Sequence, residues 1–142
     1  MKVSNRKFHK DHTLPANGEI FVFGSNLAGR HGKGAALIAK KEFNAINGRA
    51  EGYQYSETTY IGPTRHCYAI PTKDEHIQTL PLSRIRLYVH TFVEFSKLSQ
   101  SIFFVTRIGC GLAGYKDEDI APMFAGCGDN VIFPEEWKFF LD

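Results

Sequence analysis

The sequence predicts an α/β layered domain on a largely parallel sheet. Short apolar runs suited to buried strands alternate with stretches of helical periodicity, the pattern of layered α/β folds. Two of those runs end in glycine-rich turns that lead into helix-like stretches. The length, 142 residues, fits one domain with a full core. We read residues 1–142 as that one domain, with residues 1–17 a basic N-terminal segment.

Taken in order, Asn17-Gly18 signals a turn, and Ile20-Phe21-Val22-Phe23 reads as a buried strand. From Gly34 onward, Ala35, Ile38, Ala39, Phe43 and Ile46 fall near helical spacing, and Asn47-Gly48 closes that run. Residues 49–65 are polar and aromatic and read as loop with a short hairpin. Cys67-Tyr68-Ala69-Ile70 reads as a second strand closed by Pro71, followed by a polar loop over residues 73–79. Pro81 suits a helix first turn. Leu82, Ile85, Val89, Phe92 and Phe95 then form one stripe on a helix that runs to about residue 99. Residues 102–106 read as the third strand. Asp117, Glu118 and Asp119 suit a helix start, and Ile120, Met123 and Phe124 supply its buried face. Asn130-Val131-Ile132-Phe133 is the last strand before Pro134, and Trp137, Phe139 and Phe140 read as a seal for the sheet edge or the C-terminus.

Composition narrows the function. The net charge of +2 argues against an obligate polyanion binder and leaves a small anionic ligand unrepelled. Lys2, Arg6, Lys7, His9, Lys10 and His12 crowd the first dozen residues, which read as a solvated terminus, with a nucleic-acid arm as the alternative. Cys67, Cys110 and Cys127 are widely spaced and form no CxxC pair, so neither a zinc site nor a disulfide framework is expected. No metal or cofactor is expected. No apolar run approaches the ~20 residues that span a bilayer, and no signal-peptide core is present. A reducing, cytoplasmic setting and no membrane partner are therefore expected.

The first glycine turn reads Gly24-Ser25-Asn26-Leu27-Ala28-Gly29-Arg30-His31-Gly32-Lys33-Gly34-Ala35-Ala36, and the second Gly109-Cys110-Gly111-Leu112-Ala113-Gly114-Tyr115. Glycine lets backbone N–H groups approach an anion, and a helix start adds free donors and a positive dipole end. Two such turns suggest a diphosphate cradle. Gly32-Lys33 resembles the end of a P-loop, but Leu27 stands where its first glycine belongs, and Gly34 replaces the magnesium-binding Ser or Thr. The second turn fits G-x-G-x-x-G, with Glu135 about 20 residues on, yet too little chain follows for a further Rossmann half.

With Ser25-Asn26 leading through Gly32-Lys33-Gly34-Ala35-Ala36, and Gly111-Leu112-Ala113-Gly114-Tyr115 after a later strand, the chain resembles a macro domain, the ADP-ribose-binding α/β/α module. Arg107 through Leu112, and Lys40-Lys41-Glu42-Phe43, are similar to the branch of terminal ADP-ribose protein glycohydrolase and the DNA ADP-ribosyl glycohydrolase antitoxins. Gly24-Ser25-Asn26 with His31-Gly32 also looks like phage-associated members of the superfamily. The resemblance covers about residues 18–134. It implies a three-layer α/β/α fold with a mixed, largely parallel central sheet, and one ADP-ribose cleft at the strand C-terminal ends. Ligand contacts would come from Ser25, Asn26, Gly32, Lys33, Gly34, Ala35, Gly109, Cys110, Gly111, Leu112, Ala113, Gly114 and Tyr115. Asn26 would bond the distal ribose, and the two turns would hold the diphosphate. The partner would be ADP-ribose or an ADP-ribosylated macromolecule, nucleic acid entering only as a modified substrate.

In the glycohydrolase branch a lysine after the middle strand attacks the distal ribose, assisted by an aspartate in the second loop. Lys73 of Pro71-Thr72-Lys73-Asp74 matches the lysine, and its amine would have to be neutral to attack. Ala113 stands where the aspartate is expected, and it also lacks the Phe that many macro domains place there. Asp117, Asp74 or a neutral His31 orienting water would have to substitute. Lys33 and Arg107 would add charge toward the phosphates. Cys110 reads as a small loop residue, and Tyr115 as a sugar-stacking ring or a core anchor. Hydrolysis of ADP-ribose and non-catalytic binding or sequestration both fit the sequence.

Overall fold

The computed structural model describes residues 6–10, 12–55 and 65–142. Its strands are β1 (Lys7–His9), β2 (Ile20–Asn26), β3 (Gly52–Gln54), β4 (Cys67–Lys73), β5 (Phe103–Val105) and β6 (Val131–Pro134). Its helices are α1 (Gly34–Glu42), α2 (Leu82–Lys97), α3 (Asp117–Ile120) and α4 (Lys138–Leu141), with 3-10 turns at Ala121–Phe124 and Glu135–Trp137. The strands form one sheet in the order β1-β6-β5-β2-β4-β3. All neighbours are parallel except β3, which runs antiparallel to β4.

Side-chain alternation splits the core into two layers, one on each face of the sheet. Ile20, Val22, Tyr68, Ile70, Phe103 and Val105 join one cluster with Ile85, Val89 and Phe92 of α2 and with Phe124 and Trp137. Phe21, Phe23, Cys67, Ala69 and Phe104 join the other, closed by Ala36, Ala39 and Phe43 from α1 and the residue just beyond it. Successive strand residues point to opposite faces, so runs apolar at every position are covered on both sides. The result is a three-layer α/β/α architecture with a mixed sheet. Each large side chain buried in either layer contributes roughly 1.5–3 kcal/mol.

Several boundaries differ from the sequence expectation. β4 continues through Pro71 to Lys73. Pro71 lies opposite Ser25, where the register shifts before Asn26 pairs with Lys73, and irregular pairing tolerates a residue with no N–H. α1 ends at Glu42 rather than near Ile46, because Asn44 adopts a left-handed φ of 64° that stops the helix. The last predicted helix shortens to α3 and its 3-10 turn. Trp137 is fully buried, but Phe139 is 89% exposed and seals nothing. The basic terminus is not merely solvated: β1 pairs with β6. The hairpin expected within residues 49–65 falls partly on residues 56–64, outside the described residues; β3 is the strand observed there.

The sheet order places the site. β2 lies between β5 and β4, so the loops leaving these three parallel strands emerge side by side. Open α/β sheets bind ligands at such C-terminal strand ends.

Candidate functional site

The ends of β2, β4 and β5 open into a cleft of about 650 Å³, within the range of small-molecule sites. Ser25, Asn26, residues 32–36, Lys73 and residues 107–113 all line it. The two glycine loops, far apart in sequence, therefore share one crevice. They nearly touch: a Cβ at Gly34 would stand 3.7 Å from Leu112 Cδ1.

The first loop delivers the N-terminus of α1. Lys33 occupies the N-cap with extended backbone and gives no side-chain cap, and the first turn holds no acid. Its first N–H groups have no partner inside the helix and carry the positive dipole end. Asn26, expected on the distal ribose, lines the cleft with both its amide atoms bonded to the loop itself. Asn26 Nδ2 donates to the Arg30 carbonyl at 2.8 Å, and Arg30 N–H donates to Asn26 Oδ1 at 3.0 Å. Gly29 lies so close to Gly48 that a side chain would collide with its backbone.

The second loop turns at Gly109, whose φ of +78° and contact with Ile120 leave no room for a side chain. Tyr115 N–H bonds the Gly109 carbonyl at 2.8 Å, and Thr79 Oγ1 donates to the Ala113 carbonyl at 3.0 Å. Gly111 differs from Gly109. A Cβ there meets nothing within 4 Å, and its backbone is not left-handed. Gly32, in the other loop, shares both properties.

Several residues expected to act on the ligand have other partners. His31 is corrected: it is 2% exposed and lines a separate pocket behind the loop rather than the cleft. Its Nε2 lies 3.0 Å from the Ile46 carbonyl and 3.2 Å from that of Arg49, and its ring meets Phe23 edge-on. Its Nδ1 makes no hydrogen bond among the described residues. Ser25 borders the cleft, but its hydroxyl donates to the Ala50 carbonyl. Gly114 and Tyr115 do not line the cleft. Tyr115 is an anchor, its hydroxyl donating to the Leu80 carbonyl at 2.7 Å.

Charge divides between braces and cleft. Arg107 grips Asp117 with Nε on Oδ1 at 3.1 Å and Nη2 on Oδ2 at 2.8 Å, and Trp137 Nε1 donates to the same Oδ1 at 2.8 Å. Burial opposes the Asp117 charge, but these donors and the Cys110 thiol hold its carboxyl below the ordinary range. Burial, then the nearby Asp117 charge, pushes the Cys110 thiol up to about 12, so it is no thiolate near neutrality. Asp74 is also engaged: the Gln78 and His76 N–H groups hold its carboxyl below the ordinary range. Among the described residues lining the cleft there is no Asp or Glu, whereas Arg30, Lys33 and Lys73 all border it. Lys73 makes no ion pair among the described residues.

Residues the sequence did not mark complete the walls. His9, His12 and Thr13 close one end, with the His9 ring stacked 3.9 Å from Phe104 and its Nε2 2.6 Å from the Val105 carbonyl. Thr72, Ile77 and Thr106 line the cleft as well. No local motif marks them; they arrive through strand register and a turn.

Comparison with solved structures settles the architecture. The macrodomain of Mycobacterium tuberculosis DarG superposes with a TM-score of 0.68 at 20% identity, covering 90% of this chain and 96% of that one. The chain has the macrodomain fold. The macrodomain of Thermus aquaticus DarG gives a TM-score of 0.62 at 16% identity, over 90% and 95% of the two chains. Thermosipho africanus DarTG, solved in complex with ADP-ribose, gives 0.61 at 19% identity, over 87% of this chain and 43% of that one. No family model matches the sequence, and no curated protein matches it. Within this macrodomain fold, no helix of the described residues is long and apolar enough to cross a membrane.

Proposed function

We propose that the cleft binds ADP-ribose. The diphosphate lies between residues 32–36 and 109–113, and the terminal ribose points toward Asn26 and Lys73. The observation that carries this reading is the pair Gly32 and Gly111. The fold makes no demand for glycine at either position, yet both border the cleft from its two loops. A ligand backed directly against the main chain explains why side chains are absent there. The uncapped start of α1, Lys33 and the lack of acidic lining residues suit an anion, and a neighbour of the same fold is a complex with ADP-ribose. A thermal-shift titration tests it. ADP-ribose at ~100 times its dissociation constant should stabilise the fold by about 2.7 kcal/mol. Gly111→Val should keep the melting temperature of the free protein and lose that shift. A shift with NAD or ATP and none with ADP-ribose overturns the reading.

Lys73 supports a second reading, hydrolysis of ADP-ribose from a modified macromolecule or a related metabolite. It is a side-chain amine at the C-terminal end of β4, bordering the cleft and outside any ion pair among the described residues. The lack of an acid in the cleft favours binding without turnover. Release of ADP-ribose from modified protein and modified DNA, lost in Lys73→Ala while binding persists, establishes the hydrolase. No release by the wild type leaves a binding module.

A further inference from the structure

We propose that Ile77 is a ligand-covering, specificity-determining residue that lies over the terminal sugar at the Lys73 end of the cleft. The inference rests on the ADP-ribose reading above. Ile77 closes a tight turn, tipped by Glu75 and His76, whose base is the pairing of Lys73 with Thr79. Its φ is +63°. Left-handed backbone is rare for any residue with a Cβ, and for a β-branched one it is a genuine outlier. Asn or Gly would fit the same turn without strain.

The turn is built to hold that conformation. Asp74 Oδ1 accepts the His76 and Gln78 N–H groups at 2.8 and 2.9 Å. Asp74 N–H donates to the Gln78 carbonyl at 2.8 Å, and Ile77 N–H to the Asp74 carbonyl at 3.1 Å. Thr79 Oγ1 then ties the turn to the second glycine loop through Ala113. Packing does not account for Ile77, because its side chain belongs to neither core cluster. It is 38% exposed and borders the cleft. Leu112, 65% exposed, stands over the start of α1 on the diphosphate side. Ile77 thus borders the cleft beside Lys73, as Leu112 does beside the start of α1. The faces of a ribose carry C–H groups, so an aliphatic cover there shields the sugar from water beside Lys73. Strain kept at a ligand site, with no packing gain, points to a role in binding.

The test pairs two readouts on Ile77→Asn, Ile77→Gly and Ile77→Leu. Calorimetric titration uses ADP-ribose and, separately, ADP, which ends at the diphosphate; melting temperature is taken on the free proteins. Ile77→Asn should melt at or above the wild type and bind ADP-ribose about tenfold more weakly, with ADP affinity unchanged. Ile77→Gly should lose the same ADP-ribose affinity, and Ile77→Leu should stay close to the wild type. A lower melting temperature for Ile77→Asn, unchanged ADP-ribose affinity, or equal losses for ADP and ADP-ribose overturns this proposal alone. No ADP-ribose binding by the wild type overturns the proposed function and this inference with it.

Discussion

His31 shows how a residue's chemistry and its place can part company. An imidazole in a glycine-rich loop suits proton transfer on paper. Here it is a strut: its ring spans the first loop and the chain at residues 46–49, with Phe23 beneath it. His31→Ala should therefore lower the free energy of unfolding in urea by about 1–3 kcal/mol, because a buried ring and its hydrogen bonds to two backbone carbonyls are lost. A catalytic histidine would instead leave the unfolding midpoint in place. Nothing in the sequence separates the two roles, since the partners at Ile46 and Arg49 are backbone atoms that any residues would supply. Gly32 and Gly111 are the opposite case. Both are legible in the sequence as places of bare backbone, because a glycine's chemistry is its missing side chain.

At the scale of elements, the brace between the β5 exit and α3 governs behaviour in acid. Asp117 accepts from Arg107 and Trp137, and its carboxyl is held below the ordinary range. A depressed carboxyl contributes stability that is present above the unfolded-state value of about 3.9. That stability fades as pH falls through the lower folded-state value. Wild type should thus lose unfolding free energy below about pH 4, while Asp117→Asn starts less stable and shows a shallower decline there. Chemical unfolding over a pH series measures both slopes. Elements were legible to the degree that they bury side chains on both faces. β2, β4, β5 and β6 stand out as continuous apolar runs, and α2 as a stripe. β1 does not, because Lys7-Phe8-His9 is a three-residue edge strand with a basic, half-exposed sequence. Pro71 reads as a stop, but the register shift beside it lets β4 run on to deliver Lys73.

Across the whole molecule, the N-terminal strap joins the site to the far edge of the sheet. β1 pairs with β6, and His9 continues onto Phe104 and the Val105 carbonyl at the cleft wall. Deleting residues 1–13 should weaken ADP-ribose binding about tenfold, equivalent to about 1.4 kcal/mol, as measured by titration calorimetry on a chain that still folds. Unchanged affinity would reduce the strap to an edge cover. The general position of the cleft was legible from two glycine turns after apolar runs, but its third wall was not, since only the sheet order brings His9 beside Phe104. That same order has a mechanical consequence. β2 and β5 are adjacent central strands, so the two arms of the crevice are rooted in neighbouring rungs of one ladder. Prising them apart means rupturing the innermost rows of amide bonds, the last to yield to solvent exchange. The roots of the two jaws therefore hold their spacing for as long as those strands stay paired.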